Sequence, residues 1–370
     1  MNFYHSCIRT IFVTGLMVIT IYNASAQEQN KGQLLQVTDS NFSSAMADIY
    51  FQEVVNRGGM NKFVHHRKVS SVDNQNIIRE NRDTLYSWGV FDVKGGLEFT
   101  LPPSGDLYMS ALVIDNDTYI VREEDYDKTG DIGTYQAYPD KPRTIRISPA
   151  RAVTDFVYIL LRTQTDATPE GDKLANRLQD KVVVNKQGSH DTWKSRNWDM
   201  KKVREKQQSY VPYLEKIVAE GTSKGYNERG KTEQFHHNFY SAVGWGGQLE
   251  RYATYGTTPD IKDFGKDGAI VTIQQPPVDY DRGGFWSYQV YGLDGYIKSN
   301  NSTLNNHNTI PNEDGTITLR FGSKEVFGTD QNRADKPDEG FSVTTRFYNP
   351  KKKIPKELLN PPLKRFKAVK

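Results

Sequence analysis

Two stretches of this 370-residue chain contain short runs in which apolar residues alternate with other residues, and a stretch of helical period lies between them. The first alternating stretch runs from residue 84 to 162 and the second from 269 to 348. Successive side chains of a strand point to opposite faces of a sheet, so a period of two indicates strands. The chain is therefore expected to be mainly β with a helical insert, as two antiparallel β modules joined by helices.

Turn residues divide the alternating stretches into short strands. Gly95-Gly96 and the segment 102–105 supply chain reversals, and Asp294-Gly295 and Asp314-Gly315 are typical of hairpin turns. The Lys- and Pro-rich tail, 351–370, is expected to form a solvated strap across the surface. The expected strands are 84–90, 97–101, 107–114, 143–147, 155–162, 285–291, 316–321 and 341–348.

Apolar residues spaced three and four apart predict helices before and between the β modules. The first helix follows Asp39 or Ser40 and ends at Gly58-Gly59. Thr168-Pro169-Glu170 is typical of a helix start. A further helix has an apolar face formed by Tyr210, Tyr213, Leu214, Ile217 and Val218, and another covers about 231–242. The expected organisation is a β module at 27–185 with a leading helix, a helical connection at 186–260, and a C-terminal β module at 261–370.

The N-terminus has the order of a secretory signal. Arg9 precedes an apolar stretch from Ile11 to Tyr22, and Ala24-Ser25-Ala26 supplies a small-residue cleavage site. We expect cleavage after Ala26 and a periplasmic or secreted mature protein. The single cysteine, Cys7, lies inside this segment, so residues 27–370 contain no disulfide and no thiol nucleophile.

The charge balance excludes a general electrostatic attraction to nucleic acid or to an anionic membrane. The chain has 48 basic and 45 acidic residues, and loss of Arg9 leaves a net charge of 47 − 45 = +2. After the signal, no segment is apolar for long enough to span a bilayer. The partner expected from the sequence is a small molecule or a glycan, and the oligomeric state is left open.

The densest polar segment is RENRDTLYS at residues 79–87, just before an expected strand. Arg79 and Arg82 have forked donors that suit a carboxylate or phosphate, and Asp83 suits a base or a metal ligand. Asn81 and Tyr86 complete the candidate ligand-binding residues here. The alternative is a structural network that fixes the start of the strand through side-chain hydrogen bonds to the backbone.

Aromatic residues of the second half form another candidate site. Trp245, Tyr255, Trp286 and Tyr291 could line a groove for a sugar, although packing between two sheets explains such residues equally well. The histidines form adjacent pairs or stand alone, and their spacing does not predict a metal site. The sequence predicts no cofactor. The glycine-rich segment 244–247 is interpreted as a tight turn with close backbone packing.

Several segments taken together resemble a pair of bacterial domains. NKFVHH at 61–66 and IRENRDTLYS at 78–87 resemble domain of unknown function 1254. SAVGWGG at 241–247, FWS at 285–287 and NEDGTITLRFG at 312–322 resemble its companion, domain of unknown function 1214. The resemblance implies an exported bacterial protein of two modules, with a β-sandwich or jelly roll at the C-terminus and no established activity. This chain departs from the usual pattern at residues 116–119 and 302–305.

Three classes of function remain open. The first is a binder of a polar or carbohydrate-like small molecule at a cavity between the modules. The second is an envelope or extracellular hydrolase for an anionic substrate, in which Arg79 and Arg82 hold the substrate and Asp83 or Glu250 acts as acid or base. The third is a structural or interaction protein whose polar segments serve the fold alone. An enzymatic activity is neither assigned nor excluded by the residues.

Overall fold

The computed structural model describes residues 33–75, 79–213 and 225–367. The expected signal segment lies outside these residues, as do Leu214, Ile217 and Val218 of the expected helical face. In the described ranges every helix falls short of the length and hydropathy that crossing a membrane requires.

The N-terminal module is a sandwich of two antiparallel sheets, as its alternating pattern predicts. Its elements are α1 Phe42–Asn56, β1 Val64–His65, β2 Thr84–Asp92, β3 Leu97–Leu101, β4 Met109–Asp115, α2 Tyr126–Thr129, β5 Thr134–Gln136, β6 Arg143–Ile147, α3 Pro149–Ala152, β7 Phe156–Gln164, α4 Pro169–Asp180 and β8 Val183–Lys186. One sheet has the order β1-β2-β7-β4-β5 and the other β6-β3-β8. The core between them takes alternate residues from both, such as Phe91 and Ile159 from the first and Phe99 and Ile145 from the second.

The helical connection packs against the leading helix. It contains α5 Met200–Tyr210, a 3₁₀ turn at Val211–Tyr213, and α6 Gln234–Val243. Phe42 and Met46 of α1 pack with Val203 and Phe239 in a separate small core. Helix α4 begins as its sequence predicts, because the Thr168 hydroxyl accepts a hydrogen bond from the Gly171 N–H at 3.0 Å.

The C-terminal module is a second sandwich, of two four-stranded sheets. Its elements are β9 Ala253–Thr257, β10 Gly268–Ile273, β11 Trp286–Gly292, β12 Thr303–Asn305, β13 Ile317–Phe321, α7 Lys324–Phe327, β14 Arg333–Ala334, β15 Phe341–Tyr348, α8 Lys356–Leu359 and β16 Lys364–Phe366. The sheet orders are β12-β11-β15-β9 and β14-β13-β10-β16, and all pairs except β13–β14 are antiparallel. The mainly β fold of two antiparallel modules is thus confirmed.

Two local expectations hold only in part. Asp294-Gly295 and Asp314-Gly315 both form turns, with Gly295 and Gly315 at φ of 80° and 79°. The first turn lies in the connection between the paired strands β11 and β12, whereas the second precedes β13, which does not pair with β12. The tail is not only a solvated strap. Its residues Ile354 and Leu358 are buried in the C-terminal core, and β16 pairs with β10, because apolar side chains four apart accompany the Lys and Pro residues.

Candidate functional site

The polar segment 79–83 lies at the junction of the two modules. The Arg79 guanidinium donates to the Thr344 and Ser342 hydroxyls of β15, at 3.0 and 3.1 Å. The Asn81 amide donates to the Tyr348 hydroxyl at 2.8 Å. Each contact joins the N-terminal module to a strand of the C-terminal module.

Arg82 and Asp83 extend the same junction. The Arg82 backbone N–H donates to Gln289, and its guanidinium donates to Asn300 at 3.0 Å, while its Nε is buried without a partner. Asp83 Oδ2 accepts from the Ser287 hydroxyl and lies 3.5 Å from Arg346 Nη1. Burial raises the pKa of Asp83 above its ordinary value, and Arg346 only partly offsets this effect. We call these residues, with Arg79 and Asn81, the junction cluster.

A second polar group, Arg162, lies next to the junction cluster in the centre of the five-stranded sheet. Arg162 is opposite Tyr86 of β2 and Ser110 of β4 in the strand register. Arg162 is 6% exposed, and its Nη2 donates to the Gly246 carbonyl at 2.6 Å. Its Nη1 is buried without a hydrogen-bond partner, and no carboxylate among the described residues forms an ion pair with it. A buried guanidinium without a counter-ion is costly for a fold to keep.

Tyrosine hydroxyls surround this guanidinium. Burial disfavours the charged form of Arg162. Electrostatic interaction with four tyrosines outweighs this effect and raises the pKa of Arg162 above its ordinary value: Tyr86, Tyr255, Tyr348 and Tyr108. The Arg162 guanidinium thus remains charged at neutral pH.

Two more tyrosines reach the same place. The Tyr226 hydroxyl donates to the Gly244 carbonyl, two residues before the Gly246 carbonyl that Arg162 contacts, and burial raises the pKa of Tyr226. Burial raises the pKa of Tyr50 and of Tyr255 to about 12, so both hydroxyls keep their protons at neutral pH. Neither hydroxyl makes a hydrogen bond within the part of the chain that the structure describes.

Gln248 completes the arrangement. Gln248 is 1% exposed. Its amide nitrogen and amide oxygen both lack a hydrogen bond of normal geometry to a described residue, although the side chain approaches the Tyr108 hydroxyl. Buried amides are nearly always paired, so two open positions on one side chain are unusual. We use the name Arg162 cluster for Arg162, Gln248 and the hydroxyls of Tyr50, Tyr86, Tyr108, Tyr226, Tyr255 and Tyr348.

Aromatic rings border the Arg162 cluster and are partly exposed. Tyr50 of α1 stacks on Trp245, with ring centroids 4.2 Å apart, and Trp245 meets the edge of Tyr158 at 4.7 Å. Tyr86 and Trp88 stack along β2 at 6.0 Å. Since Tyr50, Tyr86, Trp88, Trp245 and Tyr255 all retain some exposure, the cluster lies near the surface.

The glycine-rich segment after α6 lets the backbone approach the tyrosines. A side chain at Gly247 would place its Cβ 2.2 Å from the Tyr226 ring, and Gly246 has a φ of 79°. The tight turn with close backbone packing is therefore confirmed. This packing also presents the Gly246 carbonyl to Arg162.

The structure separates the other residues that the sequence singled out. Tyr291 joins the junction cluster, where its hydroxyl accepts from Arg346 at 2.7 Å and donates to the Glu80 carbonyl. Trp286 is fully buried in the C-terminal core, away from both clusters. Glu250 is exposed, and its carbonyl accepts from Thr254. Trp245 and Trp286 therefore do not share one groove.

Arg162, Gln248, Tyr50, Tyr348 and Arg346 are absent from the residues that the sequence analysis selected. Arg162 and Arg346 had a readable signal, because each is a charge within an otherwise apolar or uncharged strand, FVYILLRTQ and FSVTTRFY. A charge in such a strand is seldom buried unless it has a partner. Gln248 and Tyr50 carried no comparable signal.

A third polar cluster surrounds residues 115–119, where the chain departs from the pattern of its resemblance. Arg229 donates to Asp115 and Asp117 at 2.7 and 2.9 Å. His237 stacks on Tyr119 at 3.8 Å, and its Nε2 lies 2.9 Å from the Asp117 carbonyl. Burial lowers the pKa of His237 to about 4. In this cluster each of these groups has a partner, so we assign it to the fold. Across the described ranges, no three His, Cys, Asp or Glu side chains are grouped to hold a metal ion.

Comparisons with known proteins agree with the architecture. Residues 60–186 match the protein family of unknown function DUF1254, and residues 265–352 match the family of unknown function DUF1214. The crystal structure of the VPA0106 protein from Vibrio parahaemolyticus is 16% identical, covers 90% of this chain and 98% of its own, and has a TM-score of 0.56. An uncharacterised protein from Burkholderia cenocepacia is 14% identical, with coverage of 89% and 88% and a TM-score of 0.46. The comparison with curated proteins found no match. At these identities the first likeness supports the fold alone.

Proposed function

This chain belongs to the proteins that combine the DUF1254 and DUF1214 domains, whose function is unknown, and from that premise we propose a function on the geometry of the site alone. We propose that the protein binds a small hydroxylated carboxylate, of the sugar-acid kind, at the Arg162 cluster beside the module junction. The observation that carries the proposal is the buried Arg162 Nη1, which has neither a hydrogen-bond acceptor nor a counter-ion among residues 33–75, 79–213 and 225–367.

The chemistry of the cluster favours a carboxylate over a neutral group. A guanidinium matches a carboxylate in geometry and charge, and hydrogen bonds between charged groups are about twice as strong as neutral ones. A bound carboxylate would supply the acceptor and the charge that Arg162 lacks.

The remaining groups favour hydroxyls elsewhere on the ligand. The hydroxyls of Tyr50 and Tyr255 make no hydrogen bond to a described residue. The Gln248 amide offers its nitrogen as a donor and its oxygen as an acceptor. The rings of Trp245 and Tyr86, both partly exposed, border these groups and suit the apolar face of a sugar ring.

The geometry gives the acids named from the sequence other roles. The Asp83 carboxylate contacts Arg346 and Ser287 in the junction, and Glu250 is exposed. We therefore propose binding without covalent chemistry at this site, and assign Asp83 to holding the two modules together.

Isothermal titration calorimetry with three probes tests the proposal. Glucuronate has both a carboxylate and hydroxyls, benzoate has only the carboxylate, and glucose has only hydroxyls. We expect glucuronate to bind most tightly. Equal affinity for glucose and glucuronate would contradict the role of Arg162.

Substitution of Arg162 separates a ligand site from a fold contact. Arg162→Met removes a buried charge without a counter-ion and keeps much of the apolar stem, but it also removes the donor to the Gly246 carbonyl, so its melting temperature should change little. Its affinity for glucuronate should fall by about tenfold or more, the loss expected for one charge-assisted hydrogen bond. Arg146→Met, which removes an exposed arginine from β6 of the same module, is the matched control and should bind as the unaltered protein does. Large destabilisation of Arg162→Met with unchanged binding would contradict the proposal.

A further inference from the structure

The C-terminal module has a cleft that belongs to neither the Arg162 cluster nor the junction cluster. It has a volume of about 110 Å³ beside Val290 of β11, and its walls include Lys298, Ser299, Ser302 and Lys336. The segment 302–305, which departs from the pattern of the resemblance, contributes Ser302 to this wall.

Lys336 is a buried cation in this cleft. Its side chain is 2% exposed, and its ammonium donates to the Gly265 carbonyl. The nearest carboxylate is Asp338 at 4.0 Å, and that side chain is 58% exposed, so solvent screens it. The Phe341 ring lies 5.5 Å from the ammonium and offsets part of the cost of burial. An ammonium carries three donors, and one is used by Gly265.

Ser302 provides an independent observation that points to a ligand. Ser302 is 1% exposed, and its hydroxyl has no hydrogen-bond partner in the part of the chain that the structure describes. A buried hydroxyl that lines a cleft without a partner is expected to bond to something that occupies the cleft.

Both carboxylate oxygens of the acid in the cleft, Asp335, have partners, although its arginine partner Arg333 also pairs with Asp330. Asp335 Oδ1 accepts from Arg333, and its Oδ2 accepts from the Ser299 hydroxyl at 2.6 Å. Lys298 lies 2.6 Å from the Asp294 carboxylate, and its side chain is 39% exposed. With Asp335 paired, the groups left to face a ligand are donors.

We propose that this cleft binds a small oxyanion of the phosphate class, with Lys336 and Ser302 as its principal donors. An oxyanion would accept from the Ser302 hydroxyl and the remaining ammonium hydrogens, and it would bring a counter-charge closer to Lys336 than the exposed Asp338 carboxylate at 4.0 Å. Burial lowers the pKa of Lys336, as expected for an ammonium without a close counter-ion.

The test is calorimetric titration with inorganic phosphate in the Arg162→Met background, so that binding at the Arg162 cluster does not contribute. We expect saturable binding that weakens by about tenfold in Ser302→Ala and Lys336→Met, the loss of a charge-assisted hydrogen bond. Lys266→Met, which removes an exposed lysine of the same module, is the matched control and should leave affinity unchanged.

Amide hydrogen exchange keeps the test valid if Lys336→Met fails to fold. Mass spectrometry measures exchange in peptides of the Arg162→Met protein with and without inorganic phosphate. We expect phosphate to slow exchange in the peptides that contain Ser302 or Lys336 and to leave those of the N-terminal module unchanged. Absence of phosphate binding, or binding that Ser302→Ala does not weaken and that leaves exchange in these peptides unchanged, would overturn the proposal.

Discussion

Arg346 and Asp83 meet across the junction of the two modules, with Arg346 Nη1 3.5 Å from Asp83 Oδ2 and both side chains at most 5% exposed. Asp83 ends the polar segment before β2, whereas Arg346 lies on β15. Gln289 binds both sides, because its Oε1 accepts from Arg346 at 2.8 Å and from the Arg82 backbone N–H at 3.3 Å. The two modules are thus joined by a buried polar contact.

This contact predicts that Asp83→Asn destabilises the protein. The substitution keeps the shape but leaves Arg346 without its carboxylate, and removal of one partner of a buried pair costs about 3–5 kcal/mol. Unfolding in urea, followed by circular dichroism, measures the loss. A double-mutant cycle with Arg346→Met isolates the pair energy. An Asp83→Asn protein that is fully stable but no longer binds glucuronate would instead place Asp83 in the ligand site.

Tyr255→Phe, in contrast to Asp83→Asn, should lose ligand affinity and keep its stability. The Tyr255 hydroxyl has no protein partner in the described ranges, so its removal should leave the melting temperature unchanged. Affinity for glucuronate should fall by a factor of about ten, the value of one hydrogen bond to a ligand.

Tyr288→Phe is the matched control for that experiment. Its hydroxyl donates to the Leu358 carbonyl at 3.1 Å in the C-terminal core, away from the Arg162 cluster. Loss of this bond leaves a buried carbonyl with one partner fewer, so the melting temperature should fall while binding is retained. The prediction fails if both variants lose stability and neither loses affinity.

His237 predicts a loss of stability in acid. Burial lowers its pKa in the folded state to about 4, whereas the unfolded pKa is 6.5. Between these values the unfolded chain binds a proton that the folded protein does not, so stability falls as pH drops from 6.5 to 4, by about 3 kcal/mol. His237→Gln keeps a side-chain N–H for the Asp117 carbonyl and should flatten this part of the curve. Urea unfolding at several pH values measures the free energy of unfolding of both proteins. If this free energy falls as steeply with pH in the variant, the acid sensitivity comes from other groups.

Export remains a prediction from the sequence. The order of Arg9, the apolar stretch and Ala24-Ser25-Ala26 predicts cleavage after Ala26. N-terminal sequencing of the protein from its native host should begin at or near Gln27. Recovery of a chain that begins at Met1 from the cytoplasm would show that the segment is not processed.

The architecture could be predicted from the sequence because strand periodicity is a local property. The alternation in Leu97, Phe99 and Leu101 follows from one face of β3 lying in a core, and the same holds for Ile317, Leu319 and Phe321 of β13. The burial of the tail was harder to predict, because Ile354 and Leu358 are buried against a sheet that forms from distant residues.

The site was only partly predictable, since its members come together through tertiary structure. Local patterns predict Tyr86 and Tyr255 of the Arg162 cluster, but Tyr50, Gln248 and Tyr348 come from three separate segments. Nothing local distinguishes an unpartnered Gln248 amide from a paired one. The buried charge in β7 was the one readable sign of Arg162, because a charge inside an apolar strand needs a partner.

The most direct measurement is a crystal structure of the protein soaked with glucuronate. We expect carboxylate density within about 3 Å of Arg162 Nη1, the usual length of such a bond. We also expect sugar hydroxyls bonded to Gln248 and to Tyr50 or Tyr255. An Arg162 Nη1 that bonds to a protein acceptor, with no glucuronate density beside it, would contradict the binding of a carboxylate at the Arg162 cluster.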